Sequence, residues 1–392
     1  MHVPDGFIDA PVSVATGVVA AAAVAVSLRG ARRELGGDGL GGERTAPLAG
    51  LVAAFIFAVQ MLNFPVAAGT SGHLLGGALA AILVGPFTGV LCVSVVLLMQ
   101  GVLFADGGLT ALGVNITDMA IVTTVVAYAV FRGLVKVLPR KRRSITVASF
   151  VAALLSVPAA ALAFTLIYAL GGTADVSTGK VLTAMVGVHV LIGIGEAAIT
   201  ALTVGAVIAV RPDLVYGARG LSKPLELKVA PVAAPAAPGA PRTEPAATAP
   251  AAEPAPVAAS EAAPADPAEP QAATPVPARR STKRVWLAGV AAALVCAGGI
   301  SYYASASPDG LEKVAQDQGI DKQAKDHAAK DSPLADYSVK DITDARLSGG
   351  LAGVIGVGAT LAVGSGVFFV VRRRRDTADV ASRTDERTPE QV

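Results

Sequence analysis

Charge is scarce in this sequence. Of 392 residues only 16% are Asp, Glu, Lys or Arg, and the net charge is +2. The few bases are scattered among apolar runs, which excludes a nucleic-acid surface. Aromatic residues make up 5%, with Trp286 the single tryptophan, so a pocket for an organic vitamin has little to be built from. The two cysteines, Cys92 and Cys296, sit in separate apolar runs without C-x-x-C spacing or a neighbouring histidine. That excludes a cysteine-zinc site and a designed disulfide. Walker, H-E-x-x-H and G-x-S-x-G patterns are missing, as are paired intramembrane carboxylates. The chain is therefore not expected to be an enzyme, and any nucleotide hydrolysis that powers it belongs to another chain. A secretory signal peptide is not expected either, because Asp5 and Asp9 stand where its bases would be. The mature protein is expected to start at Met1.

What the sequence has is apolar length: 53% of it comes from the hydrophobic set. A spanning helix needs about 20 such residues, fewer where neighbours shelter it. Candidate spans lie at 12–28, 46–62, 74–85, 87–104, 112–131, 146–170 and 181–210, with a second group at 285–304 and 348–371. The third is short, and Gly85-Pro86 could be a kink in one irregular helix. The predicted fold is an all-α integral membrane protein: a seven-helix bundle followed by a two-helix hairpin. Small-residue spacings, such as Gly349 with Gly353 and Ala352 with Gly356, are candidate helix contacts.

Basic loops stay cytoplasmic. Arg29, Arg32, Arg33 and Arg44 follow the first span, Arg132 to Arg143 the fifth, and Arg211, Arg219, Lys223 and Lys228 the seventh. Loops 1–11, 63–73, 105–111 and 171–180 hold one base between them, Lys180, and are expected outside with Met1. The predicted organisation is a membrane module over 1–215, a cytoplasmic Ala/Pro-rich linker over 216–284, a two-span module over 285–371 with an outer insert at 305–346, and a cytoplasmic tail over 372–392. An extended, semi-rigid linker follows from its composition.

The outer loops collect the unusual polar residues. Met1 and His2 open the chain, His73 ends "NFPVAAGTSGH" with Asn63, Thr70 and Ser71, and Asp106 and Asn115 flank the third loop. A free α-amine, the deprotonated amide of residue 2 and its imidazole bind one cation through fused five- and six-membered rings. A second imidazole, such as His73, completes a near-planar set of four nitrogens, which suits Ni(II) or low-spin Co(II) better than Zn(II) or Mg(II). A bulky His2 favours retention of Met1. The competing reading is that His2 is accidental. His189 and Glu196, seven residues apart on one helix face, are read as a bonded pair or relay around the site in preference to ligands. His327, in "KQAKDHAAKD", is read as solvated.

"MHVPDGF", "FPVAAGTSGHLLGGALAAILVGP", "LLMQGVLFADGGLTALGVNITDMA" and "HVLIGIGEAAIT" together resemble the cobalt/nickel substrate-binding component (CbiM/NikM) of energy-coupling factor transporters. "SPDGLEKVAQDQGIDKQAKDHAAKDSPLADYSV" resembles the PDGLE domain, an accessory module related in role to CbiN/NikN. The resemblance implies a seven-helix fold whose N-terminal segment inserts into the bundle and holds a divalent cation through Met1, His2 and His73. It implies Co2+ or Ni2+ as transported substrate with no organic cofactor, and a plasma-membrane location. The implied partners are a transmembrane coupling protein and two cytoplasmic ATPases, and the accessory module promotes metal uptake. The expected function is cobalt import for cobalamin synthesis. Nickel import through the same site, a vitamin-uptake component and a structural membrane protein are the alternatives.

Overall fold

The computed structural model describes residues 1–35, 45–67, 69–139, 141–219 and 282–385. Residues 220–281, most of the Ala/Pro-rich linker, and the end of the tail lie outside the described residues. The described residues are mainly helical. Helices α1 (Ala10–Leu35) and α2 (Thr45–Gln60) lead to a short antiparallel ribbon, β1 (Phe64–Ala67) with β2 (Thr70–Gly72). Then come α3 (Gly77–Val84), α4 (Pro86–Leu103) and α5 (Leu112–Asn115), which runs through a π-helical stretch, Ile116–Val122, into α6 (Thr123–Val137). Two long helices, α7 (Arg142–Gly171) and α8 (Thr178–Val210), close the first module. The second consists of α9 (Lys283–Gly298), the short α10 (Gly310–Gln318) and α11 (Ala345–Asp385).

Seven described segments are long and apolar enough to cross a membrane, α2 being a shorter apolar helix beside them. Large apolar side chains such as Val14, Leu166, Leu170 and Leu202 point outward from them, which only a hydrocarbon solvent makes favourable. The chain is a multi-pass membrane protein.

The expected span at 74–85 differs from the others. Its helix, α3, has eight residues, about 12 Å at 1.5 Å per residue, too short to cross. All eight are buried, against α2, α4, α6, α7 and α8. An apolar run that is hydrophobic on every side is a core helix, and α3 is the centre of the bundle. The chain breaks at Gly85, and Pro86 takes the first position of α4, where its missing N–H costs nothing. The two helices are separate.

Helices α9 and α11 pack on each other and both on α2. A Cβ at Gly353 would lie 2.6 Å from the Ala297 carbonyl oxygen, so glycine sets how closely α11 approaches α9. Gly356 faces the Phe57 and Phe104 rings and Ala352 is buried, whereas Gly349 has no such close neighbour. The small-residue seam is therefore real over one turn and absent at its first position.

Candidate metal centre

The N-terminal nine residues enter the bundle without regular structure, turning at Asp5 and at Gly6, whose φ is 93°. Met1, Val3, Asp5 and Phe7 are buried, while His2, Pro4 and Gly6 are half-buried. The alternation sets Met1 and Val3 inward and turns His2 towards the loop that follows α4. The backbone is held by named bonds. Val3 N–H donates to Asn115 Oδ1 at 2.7 Å, Asn115 Nδ2 donates to Val3 O at 3.1 Å, and Gly108 N–H donates to the same carbonyl at 2.9 Å. Thr110 donates to Asp5 Oδ1 through its N–H at 2.8 Å. A Cβ on Gly108 would lie 2.3 Å from Asp5 N, so this loop can cover the segment only with glycine there.

The donors meet at the tip of this segment. Met1 N lies 2.6 Å from His73 Nε2 and 2.6 Å from Asp309 Oδ2. His73 Nδ1–H donates to Leu74 O at 3.0 Å, which fixes the tautomer and leaves the Nε2 lone pair facing the amine. The His2 and His73 rings stack, with centroids 5.0 Å apart. His2 Nε2 lies 3.1 Å from Gln100 Oε1, and Nδ1 lies 3.3 Å from Asp106 Oδ1. Burial, helped by the ammonium and His73 and opposed by Asp106, lowers the His2 pKa to about 4. The ring is neutral at physiological pH, so its single N–H can serve only one of these two oxygens. Burial alone would raise the Asp309 pKa, but the ammonium and His73 reverse this and hold it well below the usual carboxylate range. Among the described residues, His2, His73 and Asp309 form the one cluster of metal-ligating side chains, with donor atoms within 4.8 Å of one another.

A cavity of about 660 Å³ opens onto these donors, lined among others by His2, His73, Asp106, Asp309, Glu312 and Asp336. Its carboxylates raise the local cation concentration. Burial pushes the Glu312 pKa up, with Asp309 adding to it.

The structure brings Met1, His2, His73 and Asn115 together and distributes the other named residues around them. Ser71 Oγ donates to Ser307 O at 2.7 Å, which joins β2 to the C-terminal module. Asn63 accepts Ser305 N–H through its carbonyl at 2.7 Å and lines the cavity. Thr70 is buried in β2. The expected His189–Glu196 pair does not form. Glu196 accepts Leu75 N–H at 2.6 Å and Gly76 N–H at 3.1 Å, and His189 Nδ1 donates to Met185 O at 2.7 Å. Equal facing on one helix gave each a common side but not a common partner, because the N–H groups preceding α3 need an acceptor more. His327 is not solvated: Nε2 donates to Gly107 O at 3.1 Å and Nδ1 accepts Ala329 N–H at 2.9 Å. It fastens the 305–346 insert over the loop that holds His2.

Sequence reasoning missed Asp309 and Gln100. Gln100 is one polar residue in an apolar helix. Asp309 carries a signal, the D-x-x-E spacing of a capping box. Its Oδ1 accepts Glu312 N–H at 2.9 Å while its own N–H donates to Glu312 Oε2 at 2.9 Å. Nothing in that spacing says that Oδ2 is free to reach Met1.

Asn115 supports the N-terminal segment through two bonds to one residue. Asn115→Ala is expected to leave Val3 N–H unsatisfied at about 1–3 kcal/mol, and to weaken metal binding on the order of 10-fold. Hydrogen exchange checks it: protection should fall at residues 2–5 and persist in α7 and α8.

The family described as the cobalt uptake substrate-specific transmembrane region (CbiM) matches residues 2–214, and the PDGLE domain matches residues 283–373. The chain is 40% identical over 216 residues to a protein of Haloquadratum walsbyi named for metal transport, covering 55% of this chain and 94% of that one. It is 36% identical over 234 residues to a protein of Archaeoglobus fulgidus named for fused nickel transport (NikMN), covering 60% of this chain and 73% of that one. A solved transition metal transporter overlays with a TM-score of 0.46 at 27% identity, covering 54% of this chain and 93% of that chain.

Proposed function

The chain belongs to the CbiM family of cobalt uptake transmembrane regions and carries a PDGLE domain at its C-terminal end, and from that premise we propose that it is the substrate-capturing subunit of an ATP-driven Co2+ importer of the energy-coupling factor type, serving cobalamin synthesis. Nickel import is the second reading. The Archaeoglobus relative's name favours it, and the same nitrogen donors suit both ions. The observation that carries the proposal is the buried contact of Met1 N with His73 Nε2 at 2.6 Å beside a stacked, neutral His2. The cation would be held by the Met1 amine, the His2 amide and Nδ1, and His73 Nε2.

Capture would start in the acid-lined cavity on the outer side, with Met1 outside and the C-terminus inside. The outer insert at 305–346 would cover the filled site, and the linker over 216–284 would be cytoplasmic. A transmembrane coupling protein and two cytoplasmic ATPases would drive inward release. Radiocobalt uptake by vesicles holding all four components tests this. Uptake should need ATP and stop when the ATPase is disabled. Equal uptake without nucleotide would remove the ATP-driven reading.

Binding should strengthen as pH rises. The ion replaces protons on the amine and the His2 amide, and fewer of these compete at higher pH. The His2 ring, lowered to about 4, contributes no competition above pH 5. Isothermal titration across pH 6 to 8 should give a steadily increasing affinity, whereas a flat profile would argue for pre-ionised ligands alone.

A further inference from the structure

The C-terminal module reaches into the site with one atom. Asp309 Oδ2 lies 2.6 Å from Met1 N and 3.5 Å from His73 Nε2. We infer that the Asp309 carboxylate is an apical oxygen ligand to the transported ion, so that the metal site is shared between the two modules of the chain. The inference rests on the nitrogen chelate proposed above and adds a fifth donor to it.

Three observations point the same way. The first is position. Over a plane of nitrogens each about 2.0 Å from an ion, an apical oxygen lies roughly 3 Å from every one of them, and the two observed separations bracket that value.

The second is charge. A divalent ion held by an amine, one deprotonated amide and two imidazoles keeps one net positive charge. With no ion bound, the Met1 ammonium also carries one. Asp309 is 8% exposed, and a lone positive charge at such depth is costly without a partner. The same carboxylate neutralises the site in both states: the ion takes the place of one proton on the amine and one on the amide, which leave to water.

The third is support. Oδ1 is used by the capping box with Glu312, Pro308 O accepts Ser71 N–H at 2.8 Å, and Ser307 O accepts Ser71 Oγ. Asp309 is thus tied both to its own helix and to β2, the strand that His73 follows. Oδ2 needs no rearrangement to turn from the amine to an ion between amine and imidazole, the preorganisation a binding site requires.

X-ray absorption on the full-length chain loaded with Ni2+ tests this, with Asp309→Asn and His2→Ala as comparisons. Asparagine still caps a helix, so Asp309→Asn keeps α10 started. The expected wild-type spectrum has four nitrogens and one oxygen, without the pre-edge feature of a square plane. In Asp309→Asn that feature should appear, with affinity reduced on the order of 10-fold. A wild-type spectrum that already has the square-planar feature overturns the inference while leaving the chelate standing, and this arm needs no variant to fold. If His2→Ala binds Ni2+ with an unchanged spectrum, the chelate itself fails and the apical ligand with it.

Discussion

Adding a single residue ahead of Met1 should abolish tight Co2+ and Ni2+ binding. The added peptide bond turns the Met1 amine into an amide, whose lone pair is lost to resonance, and moves the new amine about 3.6 Å along the chain. The present amine has no room for that displacement. Met1 is 2% exposed, with His73 Nε2 and Asp309 Oδ2 each 2.6 Å from its nitrogen. Outer-shell changes cost metal sites about 10–100-fold, so loss of a chelating donor should exceed roughly 100-fold, or about 2.7 kcal/mol. Equilibrium dialysis reads the affinity, and thermal unfolding without metal reads the fold. The extended chain should keep its helical fold, because Val3 and Asp5 keep their partners, but unfold at a lower temperature, because Asp309 loses its buried ammonium.

His2→Ala should cost more than His73→Ala. Removing His2's ring opens the six-membered chelate ring and leaves only amine and amide on the N-terminal segment. Removing His73 spares all three nitrogens of residues 1 and 2, and a water can take the fourth position. The expected losses are roughly 100-fold for His73→Ala, and at least about tenfold more for His2→Ala. Calorimetry with Ni2+ checks the order. Equal losses would mean that both histidines act as independent ligands and that no fused chelate exists. Both variants should retain the fold, because neither ring carries backbone of another helix: His2 reaches Gln100 Oε1, and His73 donates to its neighbour Leu74.

Much of the fold was legible because membrane helices announce themselves by length and polarity. The spans near 12–28, 87–104, 112–131, 146–170, 181–210, 285–304 and 348–371 all correspond to long apolar helices, and 46–62 falls on the shorter apolar α2. The run at 74–85 departed furthest. A length rule assumes lipid on the outside, and α3 has protein on every side. The site was legible to the extent that its chemistry is local. Met1 and His2 adjoin in sequence, and loop charge put His73 on their side of the membrane. Contacts between distant segments were not legible. Asp309 meets Met1 across 308 positions, over a linker with no pattern to fix the geometry. Glu196 and His189 shared a helix face, but Glu196 was claimed by the backbone ahead of α3 and His189 by the preceding turn of its own helix. His327 sat in a charged, soluble-looking insert, yet it closes onto Gly107 O.

Proton release on metal binding tests the chelate most directly, because only a chelate that uses the backbone removes an amide proton. Calorimetric titration of Ni2+ into the native chain at pH 7, repeated in buffers of different ionisation enthalpy, counts those protons. The His2 ring is neutral there, with its pKa lowered to about 4, and contributes none. The account predicts between one and two protons released per ion, falling by at least one in the N-terminally extended chain. Release near zero in the native chain would contradict it, and would mean that side chains alone hold the cation.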